Sequence, residues 1–464
     1  MTIIKPSSTT ANHQISKIEI TSDCLADRGG LALLMRYADH SGLVGEIAGQ
    51  LKNYRTGAKG IPVADLIRQT LGFLFDGTSR HLTYLDHLKQ DPGYHAVMET
   101  PAKRMASSHQ IKRFFSKLPK INSAKFRATL AKMFAARLSK EQPKVVTLFL
   151  DTMVLDNDDA VCRQGVQPTY KKVKGYQPLQ LIWNGQVVDA QFRGGKKNGN
   201  HGSTALNMVY KAVKVIRKQL GYEVAVMVRM DAGFFDGDLF EHLSALNVGF
   251  LASSRLTEGI KAAANQQTQW TKFEKGNQAW AYFELGSRCH SWKKFYRTIY
   301  LKPQYEEDQM LLDFARPEQA IITNMGSCSY LFQKVPAEIR ERLYDPEQLI
   351  AQHHRKGADE LTHRGIKDLG FEQLPFKKFA ANMAFYYLIV IAYNLMECYK
   401  QEILPGLVGS GSYATTVRRV AIDFAVKFVR TGRKLIMKVT KSTMDRLNLE
   451  SLWQRCNQMT PMLA

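Results

Sequence analysis

Two apolar runs that each end on an aspartate restrict the fold of this chain more than any other feature. "VVTLFLD" (145–151) and "VAVMVRMD" (224–231) are rich in Val, Leu, Met and Phe, and each reads as a strand buried in a sheet. Between them, "QPLQLIWNGQVVDAQFRGG" (177–195) offers two strand-like runs joined at Asn-Gly, a hairpin signal, and 202–220 has helical spacing. Strand, hairpin, helix, strand is the order of a mixed α/β sheet.

A single aspartate at a strand tip is usually a turn residue. Two of them on neighbouring strands, whose ends lie about 5 Å apart, repel unless something positive sits between. A divalent ion such as Mg²⁺ fills that role, because it takes hard oxygen ligands. Asp231 is followed by Ala232 and Gly233, which let the chain turn sharply. Glu360, in "KGADELTHRGIKDLG", is the third candidate. On a helix it shares a face with Arg364 and Lys367, at i, i+4 and i+7, so an acid would complete a metal site with two bases behind it to grip a phosphate. Taken alone, Glu360 and Arg364 would be a surface ion pair. Asp156, Asp158 and Asp159 read as a turn, Asp236 and Asp238 as helix N-terminal acids, and His201 as part of a Gly-rich basic loop.

Charge points to the partner. With 64 Lys and Arg against 42 Asp and Glu, the formal net charge is +22, which favours a polyanion such as nucleic acid. The stretch 101–140 holds eleven Lys and Arg and no acid. Its segment "SSHQIKRFFSKLPK" begins with a natural N-cap, Ser107 or Ser108, and sets Lys112, Arg113 and Lys117 beside Phe114 and Phe115. Acid partners at i+4 are missing, so the run reads as a DNA-phosphate surface, with Lys120 in it. A second basic stretch, 418–441, begins with Arg418 and Arg419 and has eight bases to one acid. Six scattered cysteines without a CxxC pair fit a reducing cytoplasm, and the polar start "MTIIKPSSTTANHQ" does not read as a secretion signal. The apolar run 379–396 is long enough to span a bilayer, yet it contains Asn382 and Asn394 and reads as a buried core helix.

Five regions follow: a helical basic region (1–140), the first part of a catalytic core (141–254), a β-rich insertion carrying Trp270, Trp280 and Trp292 (255–345), the second part of the core (346–404), and a helical basic tail (405–464). Residues 1–20 read as loosely ordered.

The two strand-end aspartates, the β-rich interruption and the late Glu resemble a DDE transposase. The block "GADELTHRGIKDLGFEQLPFKKFAANMAFYYLIVIAYNL" and "LDTMVLDNDDA" resemble bacterial insertion-sequence family thirteen-eighty, in the cut-and-paste superfamily with an insertion domain. The resemblance implies a ribonuclease-H-like core and Asp151, Asp231 and Glu360 as metal-binding acids. It also implies two Mg²⁺ ions (Mn²⁺ substituting), double-stranded DNA as partner, a homodimer in the synaptic complex, and a cytoplasmic, nucleoid-associated protein with no membrane. The superfamily's Tyr–Arg–Glu–Lys signature is matched by Glu360 and Lys367, whereas Lys356 (or Arg355) stands for the Arg and His353 for the Tyr. An insertion-domain aromatic stacks on a displaced base in the superfamily, and Trp292, flanked by Lys293 and Lys294, is the choice here. The rival expectations are a DNA-binding regulator without catalysis and a metal-dependent nuclease that cuts without joining.

Overall fold

The computed structural model describes residues 17–54, 60–118, 123–159, 162–197, 199–275, 278–304 and 318–463. Val145–Thr152 and Ala225–Met230 pair in parallel, and all six residues of the latter are buried. Burial on both faces explains why these strands are continuous apolar runs instead of alternating ones. Leu179–Trp183 lies antiparallel on the other side of Val145–Thr152 and folds back into Gln186–Gln191. The turn residues Asn184 and Gly185 have φ of 45° and 74°, the left-handed pair that a tight hairpin demands. A helix, Thr204–Leu220, crosses to Ala225–Met230, and a second, Gly237–Ala245, leads to Gly249–Ser253, again parallel.

The β-rich stretch does not close into a layer of its own. Gln319–Thr323 pairs with Gly249–Ser253, and Tyr296–Gln304, Gln278–Ser287 and Thr271–Lys275 follow in antiparallel order, so one sheet runs through nine strands. Trp280 is buried on this extension, and Trp270 packs edge-on against Phe283 at 5.1 Å between ring centres. Both tryptophans are core.

The apolar run is the helix Phe379–Glu402, buried over most of its length. Its two asparagines serve the protein interior. Asn394 accepts from Val187 N at 3.0 Å and donates to Val187 O at 2.8 Å, beside the register shift between Leu181 and Ile182. Asn382 accepts from Phe376 N and donates to Phe376 O and to the Tyr176 hydroxyl. Around this helix the elements between Gly29 and Glu141 share one apolar core with the C-terminal elements, so the basic N-terminal region packs into the same body.

The tail differs from its helical reading. Val426–Thr431 and Lys434–Lys438 form an antiparallel hairpin, and Cys24–Ala26 adds a third strand. Phe424, Val426 and Phe428 are buried alternately, a period of two that the surrounding bases obscure. Gly432, at φ 59°, makes the turn.

Candidate active site

The register that sets Leu150 against Met230 brings the next residues, Asp151 and Asp231, abreast at the ends of adjacent parallel strands. Each carboxylate is fixed by a backbone amide. Asp151 Oδ1 accepts from Thr152 N at 2.7 Å, and Asp231 Oδ1 accepts from Gly233 N at 2.8 Å, capping the single turn Ala232–Phe234. Glu360 projects from the helix Lys356–Gly370, where it is exposed. One turn further on, His363 faces inward, with Nδ1 3.9 Å from Asp151 Oδ2. Burial, then the charges of Lys367 and Lys171, push the His363 pKa down to about 4. The imidazole is therefore neutral at physiological pH, and its contact with Asp151 is not an ion pair.

The helix is docked from both ends. The preceding helix, Pro346–His354, is tied to the Asp231 strand by Arg229 Nη1, which donates to Gln352 O at 2.7 Å. It is tied to the next strand by Ser253 Oγ and His353 Nε2 at 3.0 Å. Beyond Glu360, Lys367 pairs with Glu372 at 2.8 Å, and Glu372 accepts from Asp156 N at 3.3 Å, just after the Asp151 strand. His353 and Lys367 thus brace the helix that carries the third acid.

One phenol reports where the acids meet. Tyr170 is 60% exposed. Partial burial, then the charges of Asp151, Asp231 and Glu360, raise its pKa above the ordinary value, against a smaller opposite effect of Thr152. Among the described residues, no three His, Cys, Asp or Glu side chains stand close enough to share one metal ion. The donor chemistry nevertheless suits a hard divalent cation: two carboxylates abreast on adjacent strand ends, with the neutral imidazole of His363 beside Asp151.

Several expected DNA contacts find other work. Arg418 is buried; its guanidinium donates to Phe75 O and Leu74 O at 2.8 Å and to Leu369 O at 3.4 Å, so it caps helix ends and does not face DNA. Arg419 beside it is exposed. Trp292 is wedged among Phe235, Phe240 and Tyr296, and a Cβ on Gly237 would come within 2.5 Å of its ring, so it anchors its loop and offers no free stacking face. Arg364 is exposed, and the side chain of Lys356 lies outside the described residues, as do Lys120 and residues 1–16.

Most acid partners of 101–140 come from distant segments, and one stands at i+4 just past the run. Arg127 pairs with buried Asp189, Arg104 with Asp65, Lys132 with Glu46, Lys140 with Glu402, and Arg137 with Glu141. On the helix Ser108–Ser116, capped by a Ser107–Gln110 capping box, Lys112 is half-buried; Arg113 and, just beyond the helix, Lys117 are exposed. Neutralising Arg113 and Lys117 together is expected to lower the slope of log binding constant against log salt by about two for end DNA, near 0.9 per phosphate contact. Arg127→Ala should leave that slope unchanged and lower the melting temperature, because it strands a buried carboxylate. Salt titrations and thermal unfolding of the two variants decide this.

Sequence reasoning passed over Tyr170 and His363. The signals were present: Tyr170 opens the basic run "YKKVK", and His363 lies three residues after Glu360.

A family model described as "Transposase DDE domain group 1" matches residues 10–461. No curated protein matches the chain. Among solved structures, the cryo-EM structure of a piggyBac transposase synaptic complex with hairpin DNA aligns with a TM-score of 0.41 and 12% identity, over 85% of this chain and 80% of that one.

Proposed function

The chain belongs to the DDE transposases, and from that membership we propose that it mobilises a bacterial insertion sequence of family thirteen-eighty by cut-and-paste. It would bind the terminal inverted repeats as a homodimer in a synaptic complex, cut at the element boundary and join the freed ends to target DNA in the cytoplasm. The core is read as ribonuclease-H-like. Supporting this, Gln186–Gln191, Leu179–Trp183, Val145–Thr152, Ala225–Met230 and Gly249–Ser253 lie side by side with only Leu179–Trp183 running opposite to the other four, and further strands interrupt the chain between Asp231 and Glu360.

The observation that carries the reading is the parallel register that sets Asp151 and Asp231 abreast at the ends of adjacent strands. Asp151, Asp231 and Glu360 would hold two Mg²⁺ ions, or Mn²⁺, which supply Lewis acidity and an activated oxygen nucleophile for phosphoryl transfer. The chain's own contribution is placement. The backbone amides of Thr152 and Gly233 fix the two aspartates, and the tethers from Arg229 and Ser253 hold the helix Pro346–His354, which leads directly into the Glu360 helix. Neutral His363 walls the site without cancelling the charge of Asp151. Arg364, exposed one turn past Glu360, is placed to meet a phosphate.

The test is a labelled duplex carrying the element's own terminal repeats, incubated with the purified protein and Mg²⁺, with a chelator control. Boundary cutting and joined products that disappear with the chelator are expected. Binding of paired ends without any cutting would establish a regulator, and cutting without joining a nuclease.

A further inference from the structure

Beside the acids stands a small hairpin that the chemistry above leaves unused. Gln167–Pro168 pairs with Lys174–Tyr176, which in turn pairs with Leu155–Asp156 just beyond the Asp151 strand. Its root is tightly built. Tyr176 is fully buried and donates to Gln164 O, and added Cβ atoms on Gly175 and Gly195 would come within 2.0 Å of Leu155 O and 2.1 Å of Gln167 O. Its tip is closed by Thr169 N to Val173 O at 2.9 Å, Thr169 Oγ1 to the same oxygen at 2.8 Å, and Lys172 N to Thr169 O at 3.1 Å, with Lys172 at φ 61°.

What this fixed arm presents is one aromatic ring and a set of bases: Tyr170, Lys171, Lys172 and Lys174 are all exposed. A ring left 60% in water contributes little to folding, yet Tyr170 is not loose. The tip bonds between Thr169, Lys172 and Val173 hold the turn that carries it, and the Lys171 ammonium stands 5.9 Å from its ring centre. An exposed ring on a rigid hairpin tip is a stacking platform, and a lysine beside it is a phosphate contact.

We infer that Tyr170 and Lys171 position the DNA strand at the acids, the Tyr170 ring stacking on a base next to the scissile phosphate and Lys171 meeting a neighbouring phosphate. The inference rests on the reading of the three acids as the cleavage site. Both residues are positioning residues; bond breaking belongs to the acids.

Single-turnover cleavage and equilibrium binding of the terminal-repeat duplex are measured for the wild type, Tyr170→Phe, Tyr170→Ala and Lys171→Ala. The same measurements are made on ends with an abasic residue at each position flanking the cut. Tyr170→Phe, which keeps the ring, should stay within about twofold of wild type. Tyr170→Ala should lose about tenfold or more in binding and cleavage on intact ends. It should lose nothing further on the end whose stacked base is missing, where wild type and variant converge. Lys171→Ala should lower the salt slope of binding by about one. Melting temperatures should be unchanged throughout, since neither side chain is buried. Equal losses for Tyr170→Ala on intact ends and on every abasic end would overturn the stacking role, as would wild-type behaviour on intact ends. A salt slope unchanged by Lys171→Ala would overturn the phosphate contact. A wild type that binds ends without cutting them would sink the cleavage reading, and the binding comparison would then judge the hairpin tip by itself.

Discussion

Cleavage at the element boundary is expected to fall by about a thousandfold or more in each of Asp151→Asn, Asp231→Asn and Glu360→Gln, with binding of end DNA retained. The size follows from the several kcal/mol that metal-assisted charge stabilisation contributes, at about 1.4 kcal/mol per factor of ten. The amide variants are chosen because the fold tolerates them. An asparagine Oδ1 can still accept from Thr152 N or Gly233 N, so the strand end and the turn capped by Asp231 stay formed. Glu360 is exposed, so its replacement strands no buried group. What each variant removes is one negative charge. Gel-based cleavage with 5′-labelled ends, run beside a binding assay, separates the two effects. If Glu360→Gln cut normally while both aspartate variants failed, the third acid would have to be sought elsewhere, and Glu372 and Asp156, joined by a 3.3 Å hydrogen bond, would be next in line.

The second large effect belongs to a residue that touches no DNA. Arg418→Ala is expected to destabilise the protein by about 3 kcal/mol or more, the usual result of stranding buried partners of a charged group. Three carbonyls lose their donor: Leu74 and Phe75 near the end of the helix Val63–Asp76, and Leu369 near the end of the helix that carries Glu360. Gly77, at φ 64°, has no room for a Cβ because the guanidinium would lie 2.1 Å from it. Burial pulls the Arg418 pKa down while Asp368 and Asp76 pull it up, and the group remains a cation. Nearby Arg28 bridges Asp76 at 2.9 Å and Asp423 at 2.8 Å, so the loss spreads into a network joining early and late parts of the chain. Thermal unfolding reads the loss, and the salt slope of DNA binding should not move. A stable Arg418→Ala protein with a slope lower by about one would mean that Arg418 faces phosphate after all.

Both cases show what local sequence can carry. The strand-end aspartates were readable because a strand buried on both faces is a continuous apolar run, and its end is marked where the first charge appears. The hairpin at Asn184–Gly185 was readable because only certain residues accept two left-handed conformations in succession. Arg418 was misread because its partners lie some 340 residues earlier in the chain, and a basic run looks alike whether it faces water, phosphate or a ring of carbonyls. Part of the run 101–140 was hidden in the same way: Arg127 finds Asp189, and Lys140 finds Glu402, across distances that no i+4 rule inspects. The strands within 255–345 were readable from texture, but not their continuation of the sheet that holds the aspartate strands. Strand composition says that a segment pairs, and it does not say whether it pairs with its neighbours or with a sheet already begun. Tyr170 escaped because an exposed tyrosine in a polar turn is unremarkable until the acids it faces are brought beside it.

The pairing of distant segments also governs when this enzyme exists during its own synthesis. The hairpin Leu179–Gln191 is complete early, but the amides and carbonyls beside its register shift wait for Asn394. Likewise Cys24–Ala26 waits for Val426–Thr431, and the helix Val63–Asp76 waits for Arg418. At about 5–20 residues per second of synthesis, the half-built core spends on the order of ten seconds or more without its central helix. A chain that stops short of Phe379 therefore has both aspartates but neither the helix that closes its core nor a stable place to dock Glu360 in register. The two strand-end aspartates thus gain the late helix and its docking partners only when nearly the whole chain has been made.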